Sequence, residues 1–210
     1  GSVAGIYLAS NASLLSGLTN SGSIGGAVTG IKLAQSSLSG GLNNTGIVAG
    51  SSFALNIDAN SILSGGVTIA GASATFVGAL GNAGLIQDGV NVNAGALAGG
   101  VYNTGTIGSG SVAGIYLASN ASLLSGLTNS GSIGGAVTGI KLAQSSLSGG
   151  LYNTGIVQGS SFALNIDANS LLSGGITISG VSATFVGALG NAGLIQDGVN
   201  VNAGALAGGV

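Results

Sequence analysis

Residues Gly22–Gly46 read GSIGGAVTGIKLAQSSLSGGLNNTG. Within this stretch Val28-x-x-Ile31-x-Leu33 precedes a small-residue corner at Gln35-Ser36-Ser37, and Leu38, Gly40-Gly41, Leu42 and an Asn-x-Gly turn at 44–46 follow. Short alternating runs of this kind are strands with one buried face. A glycine every few residues argues against helix, at about 1 kcal/mol for each one in a helix interior. The stretch that follows aligns with it: Phe53-x-Leu55-x-Ile57, Ile62, Gly65-Gly66, Val67.

Working outward, the phrase Leu/Val-x-Asn-x-Gly-x-Ile recurs as LTNSGSI (18–24), LNNTGIV (42–48), LGNAGLI (80–86) and VYNTGTI (101–107). A weaker form without the Asn, VTIAGAS, occupies 67–73. The anchoring glycines 22, 46, 71, 84, 105 and 131 are separated by 24, 25, 13, 21 and 26 residues. Two readings fit: about five coils with one shortened, or four coils with the third enlarged by an insertion. On a larger scale residues 1–101 recur as 110–210, an offset of 109, with six differences: Asn43/Tyr152, Ala49/Gln158, Ile62/Leu171, Val67/Ile176, Ala70/Ser179 and Ala72/Val181. The organisation expected is a first copy over 1–109 and a second, truncated copy over 110–210 in one continuous solenoid. The second copy stops at Val210 inside the phrase AGGVYNTG, which residues 98–105 carry in full, so the parent protein is expected to run on past both ends.

A coil of 21–26 residues holds about three short strands and cannot bury its apolar face alone. Stacked on a neighbour at about 4.8 Å, it pairs its backbone and continues the core. The fold expected is therefore all-β, a parallel β-helix (β-solenoid) in which equivalent residues pile into ladders. Ile24, Ile47, Ile86 and Ile107 are one candidate ladder. Asn20, Asn44, Asn82 and Asn103, with their copies Asn129, Asn153 and Asn191, are another, each Asn bonding the turn backbone and the Asn above and below. The corner glycines Gly22, Gly46, Gly84, Gly105, Gly131, Gly155 and Gly193 are expected to supply the positive φ of a tight corner.

Composition removes several function classes. The only charged side chains are Lys32, Lys141, Asp58, Asp88, Asp167 and Asp197, 3% of the chain against about 25% in an ordinary domain. With 45% hydrophobic residues the chain is nevertheless not a disordered one. The 44 glycines lack collagen's Gly-X-Y period and Pro, and no apolar run reaches membrane-helix length. Net charge −2 without a basic patch leaves nucleic-acid binding no electrostatic basis. His and Cys are absent, and Asp58 and Asp88 fall at different phases of the coil, so neither a nucleophile–base pair nor a carboxylate pair is expected and the chain reads as non-enzymatic. No cofactor and no metal are expected; one Asp per coil is a poor calcium ligand set. Lys32 and Lys141, between Ile and Leu, should point outward. Tyr7, Tyr102, Tyr116 and Tyr152 read as strand or corner residues before a glycan-stacking surface. Thr19, Thr29, Thr45, Thr68 and Thr104 do not read as one column, which argues against ice binding.

The phrases GIYLASNASLLSGLTNSGSIGG and GIKLAQSSLSGGLNNTGIVAG resemble the β-helical repeats of bacterial autotransporter passengers and related large surface adhesins. The resemblance covers essentially the whole chain. It implies a right-handed parallel β-helix at the cell surface, outside the cell, and maps no catalytic site. The 109-residue near-identity and the scarcity of charge depart from that family, and both point to a fibre or sheath component. The function expected is a structural segment of a secreted fibre whose partners are copies of itself or further repeats of the same chain. The alternative is an adhesin shaft or a module that binds surface glycans.

Overall fold

The computed structural model describes residues 2–210, and every pairing between its strands is parallel. Alternation places one side of each strand inward, and the inward residues stack coil on coil into four ladders. The first runs Ile6, Ile31, Leu55, Leu80, Val101, Leu127, Leu151, Ile176, Val199. The second runs Leu14, Leu38, Leu63, Ile86, Ile107, Ile133, Val157, Phe185, Leu206. The third is Leu18, Leu42, Val67, Val90, Ile115, Ile140, Leu164, Leu189. The fourth is Ile24, Val48, Phe76, Leu97, Leu123, Leu147, Leu172, Ile195. The first and third carry the longer strands, such as Thr29–Ala34, and the other two carry short ones such as Ser37–Leu38. The result is a β-solenoid of about eight turns, with no helix among the described residues.

A coil visits the four ladders in order. Strands Ile47–Ile57 and Thr75–Asn82 pass from the fourth ladder into the first without a break, which joins those two ladders into one 15-stranded sheet. Ile156–Ile166 and Thr184–Asn191 do the same for the second and third in the other 15-stranded sheet. The interior is continuous and largely apolar: Leu33, Leu55, Phe76, Leu97, Ile133 and Leu164 are all fully buried. Fully burying each such side chain contributes about 1.5–3 kcal/mol.

The relation between the two copies was not legible from the intervals. Ile6 stands in the first ladder and its copy Ile115 in the third; Leu14 stands in the second and Leu123 in the fourth. Leu18 and Leu127 exchange third for first, and Ile24 and Ile133 exchange fourth for second. One copy therefore spans four and a half circuits, and the second copy is turned half a revolution about the axis. Neither five coils nor four with an insertion is correct. The 13-residue interval from Gly71 to Gly84 is the half circuit: Gly71 follows a third-ladder strand, and Gly84 follows a first-ladder strand.

The isoleucine ladder also needs correction. Ile24 stacks on Val48 in the fourth ladder, whereas Ile86 and Ile107 stack in the second. Ile47 pairs with Ser23 and faces outward, 43% exposed. It lies one residue out of phase, and in a strand one residue exchanges inside for outside. Of the six differences between copies, only Val67/Ile176 lies in the core, where it changes one methylene.

Truncating a residue on each side of this register distinguishes them. Ile86→Ala is expected to lower unfolding stability by about 2–5 kcal/mol. Ile47→Ala should cost less than about 1 kcal/mol. Guanidinium unfolding of the two variants checks the assignment; equal losses contradict it.

Candidate assembly site

The buried polar side chains are the asparagines of the Asn-x-Gly corners together with Thr29, Ser36, Ser61, Thr138, Ser145 and Ser170. Asn20 and Asn44 stack in the third ladder, with Asn20 Nδ2 donating to Asn44 Oδ1 at 2.7 Å. A separate run of four, Asn82, Asn103, Asn129 and Asn153, stacks in the first ladder, the same bond recurring at 2.8, 2.7 and 2.7 Å. The seven asparagines are thus split between two opposite ladders by the half-turn. The longer run joins the last two asparagines of the first copy to the first two of the second. Asn191 stands above Ile166 in the third ladder and, among the described residues, is exposed with no asparagine paired to it.

Each interior amide also holds its corner. Asn103 Nδ2 donates to Gly105 O at 3.1 Å and to Ser132 O in the next coil at 3.0 Å. One side chain therefore ties its own turn, the asparagine above it and the strand beyond that corner. The run has a polarity, with each Nδ2 pointing one way along the axis, so its first member keeps an unmet acceptor. That atom is Asn82 Oδ1, buried above Ile57 without a hydrogen-bond partner among the described residues. An orphan of this kind costs about 1–3 kcal/mol; it occurs once per run rather than once per coil.

The corner glycines serve a different purpose from the one expected. None of Gly22, Gly46, Gly84, Gly105, Gly131, Gly155 and Gly193 has positive φ. What excludes a side chain is the coil beneath. A Cβ on Gly46 would strike the carbonyl oxygen of Gly22, one on Gly105 that of Gly84, and one on Gly155 that of Gly131. At Gly84 and Gly193 the obstructing carbonyls belong to Ser61 and Ser170. Gly22, in the first coil, has nothing within 4 Å. Positive φ belongs instead to the corner that enters the first- and third-ladder strands, as at Gly41 (77°) and Gly150 (78°).

The outward residues form columns as well. On the first ladder they are Tyr7, Lys32, Asn56, Gly81, Tyr102, Thr128, Tyr152, Thr177 and Asn200. On the third they are Thr19, Asn43, Thr68, Asn91, Tyr116, Lys141, Asn165 and Gly190. Thr19 and Thr68 share this column, separated by Asn43, while Thr29, Thr45 and Thr104 lie elsewhere, so the five threonines form no single array. Lys32 Nζ lies 3.6 Å from Asp58 and Lys141 Nζ 4.0 Å from Asp167, partly exposed pairs of small energetic weight. Lys141 also sits 5.7 Å from the centre of the Tyr116 ring. Asp88 and Asp197 occupy equivalent corners after the second and fourth ladders, and Asp197 Oδ2 accepts from Gly174 N at 3.2 Å. Compared with family models, with curated proteins and with solved structures, the chain has no match in any of the three. The site is therefore read from its own geometry. Among the described residues no three His, Cys, Asp or Glu side chains gather at one place.

The first and last coils of the described residues are less covered than those between them. Ile6, Leu8, Leu14, Leu18 and Ile24 are only partly buried at one end, and Ile195 and Leu206 at the other. Val199 and Val201, inward residues of the last first-ladder strand, are 43% and 41% exposed.

Two substitutions test the ladder and the corner. Asn103→Leu strips Asn82 Nδ2 and Asn129 Oδ1 of a partner and is expected to cost about 1–3 kcal/mol for each group orphaned. Asn191→Leu should stay within about 0.5 kcal/mol. Gly46→Ala is expected to cost about 1–3 kcal/mol through the crowded coil spacing, while Gly22→Ala in the 210-residue chain is near neutral. Denaturation midpoints for the four variants give the comparison; an asparagine pair or a glycine pair that shifts equally refutes the corresponding account.

Proposed function

We propose that this chain is a structural, non-catalytic repeat segment of a secreted bacterial surface fibre, filament or sheath that lengthens by coil stacking. The observation that carries the reading is the junction between the two copies. There the start of the second copy sits on the end of the first, pairing Val90 with Ile115, Leu97 with Leu123 and Val101 with Leu127. Val199–Asn202 repeats the sequence VNVN of Val90–Asn93, and Ala4–Ala9 repeats Ala113–Ala118. A further copy therefore meets Val199–Asn202 with the surface that the second copy presents to the first. Val199–Asn202 and Ala4–Ala9 both belong to the first ladder, so an added chain enters on the same ladder as the one before it. A head-to-tail contact that does not close on itself grows an open filament, and unpaired strand edges are the natural template for it.

The sequence resemblance supports placement outside the cell. The scarcity of charge suits a stacked polymer, in which strand edges must approach without repulsion. The alternative of an adhesin shaft or glycan-binding module is favoured by Tyr7, Tyr102 and Tyr152, which are 59%, 47% and 45% exposed along one outer column.

Electron microscopy and sedimentation of purified residues 1–210 test the proposal. Filaments of one width are expected, and Val199→Asp/Val201→Asp should leave short particles with unchanged circular dichroism. A wild-type chain that stays a monodisperse monomer at high concentration overturns the fibre reading in favour of the shaft.

A further inference from the structure

The corner between the second and third ladders changes width where the two copies meet. Three residues (64–66 and 87–89) separate Leu63 from Val67 and Ile86 from Val90, giving the tight Gly65-Gly66 and Asp88-Gly89 corners. Seven residues (108–114) separate Ile107 from Ile115, because the second copy opens with Gly110-Ser111-Val112. A recess of about 210 Å³ lies at this step. Its wall draws on both copies: Thr68, Asp88 and Asn91 from the first, and Ser111, Val112 and Tyr116 from the second.

Thr68, Asn91 and Tyr116 are successive outward residues of the third-ladder column, paired coil to coil. Lys141 follows Tyr116 in that column, with its Nζ 5.7 Å from the centre of the ring. The ring therefore has a cation on one side along the axis and the recess on the other. Tyr116 is partly buried there, whereas its copy Tyr7, in the first described coil, is 59% exposed. Asp88 also differs from its copy. Asp197 Oδ2 accepts from Gly174 N, but among the described residues Asp88 makes no corresponding bond to Gly65 N, so both its carboxylate oxygens are free toward the recess.

We propose that this recess binds one neutral pyranose ring, as a free monosaccharide or as the terminal residue of a glycan. Pockets for drug-sized ligands span about 300–1,000 Å³, and the smaller volume here suits a single sugar ring. The Asp88 carboxylate accepts hydroxyl protons in short, charge-assisted bonds. The Asn91 amide and the Thr68 and Ser111 hydroxyls donate and accept beside it. Tyr116 and Val112 give the C–H face of the sugar an apolar surface to cover. Charge removes other small ligands. Asp88 repels anions, Lys141 beside Tyr116 disfavours a second cation on that ring, and one carboxylate is a poor metal site. The inference deepens and rests on the glycan-binding alternative, but on neither the first-ladder tyrosines nor end-to-end growth. Head-to-tail stacking would set Ser2, Val3 and Tyr7 of one chain against Thr177, Asp197 and Asn200 of the chain before it, building the same recess again on the opposite face.

Saturation-transfer difference NMR on residues 1–210 tests the site, with glucose, galactose, mannose, N-acetylglucosamine and their methyl glycosides as probes. Transfer to the ring protons of at least one sugar is expected. Asp88→Asn and Tyr116→Ala should each weaken that binding about tenfold or more, through loss of a charge-assisted bond or of the stacking surface. Tyr102→Ala and Tyr152→Ala should leave it unchanged, and circular dichroism establishes that each variant keeps its fold. Binding of glycosides as well as free sugars supports the recess as a seat for a glycan terminus; binding of free sugars alone supports it as one for a monosaccharide. No transfer to any probe overturns both the recess and the glycan-binding reading. Transfer that survives Asp88→Asn and Tyr116→Ala, or falls only with Tyr102→Ala or Tyr152→Ala, overturns the recess alone. Displacement of the sugar by tetramethylammonium overturns the neutral ligand.

Discussion

Everything in this molecule depends on the spacing between coils, about 4.8 Å where backbones pair in parallel. At that distance there is no room for a methyl group wherever one coil's corner lies over the carbonyl of the corner below. The glycines of the Asn-x-Gly phrase are the consequence: a Cβ at Gly46, Gly105, Gly131 or Gly155 would enter the oxygen of the glycine one coil earlier. The same spacing brings asparagine amides of successive coils to hydrogen-bond length and keeps leucine and isoleucine in van der Waals contact along the axis. Glycine content, asparagine ladder and aliphatic core are three results of one distance.

That constraint explains why polar groups are tolerated in the interior. An asparagine amide buried alone has four hydrogen-bonding positions to satisfy, and a single coil offers few of them. Stacking supplies the rest, as at Asn103, which donates to a carbonyl of its own turn, to Asn129 and to Ser132 in the following coil. The cost is moved to the end of a run, where Asn82 Oδ1 lies over Ile57 without a donor. Longer runs dilute that cost, and the four-membered run exists only because two copies meet. Asn20 and Asn44 alone form half of such a run.

The half-integral number of circuits has consequences for the surface that an integral one would not. With four or five whole coils per copy, every copy would show the same face in the same direction, and the rod would have one distinctive side. With four and a half, the Tyr–Lys–Asn column of the first ladder reappears on the third, and each apolar patch on a short-strand side reappears on the opposite one. The substitutions between copies follow this exposure: Asn43/Tyr152, Ile62/Leu171 and Ala72/Val181 all lie outward, where packing does not restrict them. Only Val67/Ile176 touches the core.

The chain's alternation, its Gly-Gly corners and its recurring Asn-x-Gly by themselves determined a parallel all-β solenoid with coils in the low twenties of residues, because period-two burial and closely spaced glycine admit little else. They also singled out Asn20, Asn44, Asn82, Asn103, Asn129 and Asn153, which lie inside, since an Asn two residues before a Gly and repeated in neighbouring coils finds its polar partners in those coils. Local pattern was insufficient at Ile47, where two adjacent apolar residues, Ile47 and Val48, compete for one inward position and the neighbouring coil's Ile24 decides for Val48. It was insufficient at Gly46, where the requirement for glycine comes from a carbonyl 24 residues away in sequence and not from the backbone angle at the residue itself. The half-turn was decided only in the tertiary structure. Counting residues between motifs measures contour length, whereas the ladder a strand joins depends on how many corners the chain turns in that length.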